Sequence, residues 1–310
     1  MPHISRRTFT SLAVSAGLSM TGYSNSGKSR PPYPIAFSTL GCPGWDWKKI
    51  LSVASENGYS GIELRGIMGQ MDLTKRPEFI GTQLNASLKD LSALDLKISD
   101  LGASARMHES DAKKRSAAFD EVKRFVDLAA RLNARYVRVF GDKIEQGDTR
   151  EAAIQRIIAG MREMGEHAKG SGVTILIESH GDFTDSKSLL EILKGAEMPT
   201  TGLLWDAHHT CAFGKEKPSD TFQALKKYIR HTHLKDSQPD QNGVHYVLTG
   251  KGTIPVRDTI KVLLEGGYRG YFCFEWEKAW HAELEEPDIA FPHFADTMRT
   301  YFNELKTSKG

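Results

Sequence analysis

From position 34 to about position 305, short runs rich in β-branched and aromatic residues alternate with longer stretches of helical period, about one pair every 35 residues. This rhythm constrains the fold more than any other feature, because a strand that returns parallel to its predecessor needs a helical crossover. The strands are expected at 35–41 (IAFSTLG), 61–66 (GIELRG), 97–104 (KISDLGAS), 135–141 (RYVRVFG), 173–180 (VTILIESH), 201–209 (TGLLWDAHH), 229–236 (IRHTHLKD) and 270–277 (GYFCFEWE). Between them, KKILSVASENG ends at Gly58, and the segment after Asp111 keeps Phe119, Val122, Val126, Leu128 and Leu132 on one stripe. Eight such units in this length predict an α/β chain folded as a (β/α)8 TIM barrel. A doubly wound open sheet needs a glycine-rich phosphate turn, and GDKIEQG after the fourth strand is not G-x-G-x-x-G. One domain over 34–305 is therefore expected, followed by a short tail at 306–310.

The first 33 residues have a different character. SRRTFT precedes the apolar run SLAVSAGLSM, which is too short to span a bilayer, and then the polar linker TGYSNSGKSR. With Arg6 and Arg7 adjacent and Phe9 two places on, the segment resembles a twin-arginine export signal, which implies a periplasmic or extracellular protein. Tyr23 stands where a lipoprotein signal would carry its acylated cysteine, so no stable membrane anchor is expected. Residues 1–30 carry four basic side chains and no acid; without them 37 basic residues face 39 acidic ones, net −2. A nucleic-acid binder needs a stronger positive field. Only three cysteines occur, Cys42, Cys211 and Cys273, with no C-x-x-C pair, which excludes a disulfide framework and a thiolate zinc site.

In a barrel of this kind, chemistry sits at the carboxyl ends of the strands. The fifth strand ends at Glu178, the sixth at Asp206, the seventh carries His233 and the eighth Glu275, each about one βα unit from the next except the last, which includes the insertion QPDQNGVHYVLTGKG. Three carboxylates aimed at one place cannot all stay ionised without a cation between them. Three oxygens and one imidazole suit a single divalent ion, Mn2+, Mg2+, Co2+ or Zn2+, at a catalytic site with open positions. Period two within HTHLKD puts His231, His233 and Lys235 on one face, so His233 is the expected ligand, Lys235 reaches substrate further out, and His231 lies deeper as a hydrogen-bonded core residue.

With GIELRG, IES, WDAHH, HTHLKD and FEWE in this order, the chain resembles the xylose isomerase-like TIM barrels, the superfamily of sugar phosphate isomerases and epimerases. The resemblance implies that Glu178, Asp206, His233 and Glu275 are metal ligands and that His209 contacts substrate. Ketose 3-epimerases of the superfamily carry a further glutamate six residues past the first ligand, where this chain has Thr184. Its endonuclease branch builds a three-metal site with extra histidines, and this chain ends its fourth strand in Phe140-Gly141 and has no Asp-x-His after His233.

The expected activity is a divalent-metal-dependent sugar isomerase or epimerase that removes the proton beside a carbonyl, with Glu178 and Glu275 as the proton carriers and an enediolate as intermediate. His209 and Lys235 would hold the substrate, with Glu63, His180 and His108 adding hydrogen bonds. Trp45, Trp205, Trp276 and Trp280 fall near strand ends, where they either stack on a sugar or pack the barrel. A metal-dependent lyase or dehydratase on keto-sugars or 3-keto-glycosides shares the first step, and a secreted sugar-binding protein on the same scaffold needs none of it. A small-molecule partner is expected in all three cases; homo-oligomerisation is left open.

Overall fold

The computed structural model describes residues 27–241 and 243–307. The twin-arginine segment lies outside the described residues. Eight parallel strands close into a barrel: β1 (Ile35–Ser38), β2 (Gly61–Leu64), β3 (Lys97–Arg106), β4 (Tyr136–Phe140), β5 (Thr174–Glu178), β6 (Thr201–Asp206), β7 (Ile229–Leu234) and β10 (Phe272–Phe274). Around the ring the order is β1-β10-β7-β6-β5-β4-β3-β2, so the first and last strands pair and the sheet has no free edge. Each crossover carries a helix: α1 (Trp47–Glu56), α2 (Gly81–Ala93), α3 (Ala112–Arg131), α4 (Arg150–His167), α5 (Ser186–Gly195), α7 (Pro218–Leu225) and α8 (Val256–Glu265), with α9 (Pro287–Thr307) closing the chain.

Local chemistry explains the boundaries. Asp46, Asp111, Thr149 and Asp185 each accept a backbone N–H in the first turn of the helix they precede, which satisfies donors that the helix itself leaves unpaired. Gly58, at φ +76°, ends the first helix as its position in the sequence suggests. The helices bury their apolar stripes on the outside of the barrel; Phe291 stacks on Phe37 with centroids 4.2 Å apart, and Phe294 on Phe274 at 4.5 Å.

Three segments differ from the sequence expectation. Positions 207–209 are not strand: Asp206 caps a short helix, α6 (Ala207–Ala212), by accepting from the His209 amide at 3.0 Å, and this swings His208 and His209 away from the sheet. The insertion after β7 is a hairpin, β8 (Asp236–Asp240) and β9 (Gly243–Val247), standing apart from the barrel sheet. Residues 28–30, read as linker, lie along the barrel, where Lys28 pairs with Asp296 and Arg30 with Asp95.

Candidate metal centre

Strand register builds the site. In β7, His231 and His233 point inward while Thr232 turns outward, its hydroxyl donating to the Tyr271 carbonyl. His233 is level with Asp206 on one neighbour and Cys273 on the other, so Asp206 at the end of β6 and Glu275, two residues past Cys273, flank it at the barrel mouth. Glu178 ends β5. Donor atoms of Glu178, Asp206, His233 and Glu275 all lie within 4.8 Å of one another, and all four side chains are buried. His233 Nδ1 faces the group, 3.2 Å from Glu275 Oε2, 3.4 Å from Glu178 Oε1 and 3.9 Å from Asp206 Oδ2.

The other ring nitrogen of His233 is held from below. Glu63 Oε2 accepts from His233 Nε2 at 2.7 Å and from His231 Nε2 at 3.1 Å. A carboxylate behind a histidine fixes the ring orientation and directs the opposite nitrogen at a cation. Glu63 is wholly buried in the barrel interior, where its Oε2 also accepts from the Cys273 thiol at 3.7 Å.

Charge is crowded here. Burial pushes the Asp206 carboxyl up to about 6, with Glu275 and Glu178 adding like-charge repulsion against the pull of Lys235. Burial opposes charge on His233, yet Glu275 and Glu63 hold its imidazole well above its usual range. A proton and a metal ion therefore compete for Nδ1. The donor set fits a divalent cation: three hard oxygens and one imidazole, a carboxylate-oriented ring, and no hydrogen bond at His233 Nδ1 among the described residues.

The remaining sequence candidates are placed as follows. Lys235 is buried, with Nζ 2.7 Å from Asp206 Oδ2, 2.7 Å from Glu277 Oε1 and in contact with Glu275. The His209 ring bonds through Nδ1 to the Ser179 carbonyl at 2.9 Å and sits 3.4 Å from Asp206 Oδ2. His180 pairs with Asp142 at 3.2 Å and keeps 36% of its side chain exposed. The loop turn that brings them together needs Gly181, at φ +63°, where a Cβ would collide with the Asp142 carbonyl. His108 is further out and buried, its Nδ1 donating to the Gly141 carbonyl at 2.7 Å; it is not part of the donor cluster. Trp205 and Trp276 are barrel core, Trp45 is half-buried, and Trp280 is exposed.

Two groups of the site escaped the sequence reading. Arg138, on β4, is buried with Nε 3.0 Å from Glu178 Oε2, and it offsets the burial penalty on that carboxylate. A charge in the middle of the apolar run YVRVF was the available signal. Asp100, on β3, is fully buried near Glu63, and burial with that like charge pushes it up to about 8. Nothing in KISDLGAS separates it from a surface aspartate.

A sequence model of the xylose isomerase-like TIM barrel family matches residues 51–292. Fructoselysine 3-epimerase from Shigella flexneri is 24% identical over 236 residues, 72% of this chain and 82% of its own length. A 3-dehydroshikimate dehydratase from Bacillus anthracis is 28% identical over 192 residues, 60% of this chain and 65% of its own. Among solved structures, a xylose isomerase-like TIM barrel protein from Mycobacterium smegmatis in complex with magnesium superimposes with a TM-score of 0.65 at 18% identity, covering 90% of this chain and 98% of that one. Eight parallel strands, donors at four successive strand ends and a family match spanning most of the barrel agree, and the chain belongs to the xylose isomerase-like TIM barrel family.

Proposed function

We propose that this protein is a divalent-metal-dependent sugar isomerase or epimerase that takes the proton beside a carbonyl. The observation that carries the reading is the four-donor cluster of Glu178, Asp206, His233 and Glu275 at the mouth of the closed barrel. When bound there, a divalent ion supplies the positive charge that acidifies the carbon beside a carbonyl and steadies the resulting enediolate. Glu178 on β5 and Glu275 beyond β10 stand on either side of Asp206 and His233, so the two carboxylates address a substrate from opposite sides, one to remove the proton and the other to return it. Arg138 holds Glu178 in its ionised form, which a base requires. His209, fixed through Nδ1 by the Ser179 carbonyl with Asp206 beside that same nitrogen, leaves Nε2 for substrate oxygens. The similarity to an epimerase supports this class.

A second reading keeps the site and changes the outcome to elimination, and the similarity to a dehydratase favours it. The test is incubation of metal-loaded protein with ketoses and with 3-keto-glycosides in deuterated water. Deuterium uptake without a leaving group supports isomerisation; release of water or an aglycone supports elimination. Neither result, with Glu178→Gln and His233→Gln leaving sugar affinity intact, would overturn both and favour a sugar-binding protein. Arg6 and Arg7 further suggest that the protein works after export, which a periplasmic fraction containing the shortened chain would support.

A further inference from the structure

The end of the barrel opposite the donors holds a second concavity. A hollow of about 410 Å3 opens where helices lead back into strands; Arg135 before β4, Lys226 and Arg230 around the start of β7, and Arg269 before β10 all line it. No acidic side chain lines it. Among the described residues none of the four cations makes an ion pair. Arg230 donates to the Lys227 and Ile229 carbonyls, Arg269 to the Tyr268 carbonyl and Lys226 to the Gln223 side chain, while the Arg135 guanidinium has no partner. Acids on this face are placed elsewhere: Asp95 pairs with Arg30, Glu197 pairs with Lys227, and Glu265 lines an adjoining hollow.

Four like charges around one hollow repel each other, and they do so in a chain that is net −2 once its first 30 residues are set aside. Fold stability gives no reason for this grouping, whereas an anion in the hollow relieves the repulsion. Guanidinium groups present paired N–H donors that match the oxygens of phosphate or sulfate, and three of the four cations here are arginines. The hollow has the size of a pocket for one small ligand, and its concave wall, with Tyr136 and Tyr268 between the charges, suits a compact molecule better than a flat membrane or an extended chain. We propose that this hollow binds a small multivalent oxyanion of the phosphate or sulfate class, at the opposite end of the barrel from the four donors and independently of them.

The test titrates naphthalene-1,3,6-trisulfonate, whose sulfonates hardly chelate divalent ions, and naphthalene-1-sulfonate calorimetrically into metal-loaded protein at low salt. The trisulfonate is expected to bind at least about tenfold more tightly than the monosulfonate, and to weaken as NaCl is raised. Arg135→Gln/Arg269→Gln changes two exposed positions and should lower trisulfonate affinity about tenfold, with the melting temperature unchanged. Lys113→Gln/Lys114→Gln, at exposed positions of α3, should leave that affinity as it was. No saturation at millimolar trisulfonate, or an affinity that survives Arg135→Gln/Arg269→Gln, would overturn the proposal. Equal losses in the two double variants would do so as well, by showing diffuse surface attraction, and so would loss in His233→Gln, by placing the probe at the donors.

Discussion

At the scale of single residues, the site depends on groups that hold the donors as much as on the donors. Glu63 lies behind the four donors and aims His233, so Glu63→Gln is expected to weaken metal affinity by about 10- to 100-fold with the circular dichroism spectrum unchanged. Competition against a metal-sensitive dye measures it. Lys235 is a buried ammonium among Asp206, Glu275 and Glu277, and Lys235→Met leaves three carboxylates uncompensated. Urea denaturation in chelator should then show a loss of about 3–5 kcal/mol, with much of it recovered on adding Mn2+. The four donors were legible because each follows an apolar run and recurs with the βα unit. Glu63 and Arg138 were not legible in their roles, since these depend on partners 170 and 40 positions away that only barrel closure brings near.

At the scale of elements, the hairpin after β7 and the loop behind it hang on one side chain. Asp236 accepts four backbone N–H groups, from Ser237 at 2.9 Å, Gly250 at 2.8 Å, Gly252 at 2.9 Å and Ile254 at 3.1 Å. A Cβ at position 252 would collide with this carboxylate, which is why glycine stands there. Asp236→Ala is expected to cost about 3 kcal/mol and to speed amide exchange at 249–254, read by hydrogen exchange. In the sequence HTHLKD, Asp236 looks like one more site acid; its work is to fold the loop. The hairpin strands were hidden for a related reason. DSQPD is polar and GVHYV is only five residues long, and among the described residues they pair only with each other, so no barrel-facing pattern marks them.

At the scale of the whole molecule, the barrel was readable from the spacing of its strands, because each βα unit must bury one apolar strand and one helix stripe. The contact of Lys28 and Ser29 with α9 was not, since it uses one ion pair and a carbonyl hydrogen bond between segments some 270 positions apart. On the proposed function, a cation held by β5, β6, β7 and the segment after β10 would bind only the folded barrel, so its affinity would add to stability. At a hundredfold excess over Kd the gain is about 2.7 kcal/mol, a rise of a few degrees in Tm. Calorimetry should show this shift in the parent protein and none in His233→Gln.

Glu275 lies just beyond the strand that zips the ring shut against β1. A chain made only as far as its seventh unit therefore still lacks the last donor. On the proposed function, ion capture would mark the end of assembly, because the full four-donor set exists only after position 275 has been made and the ring has closed.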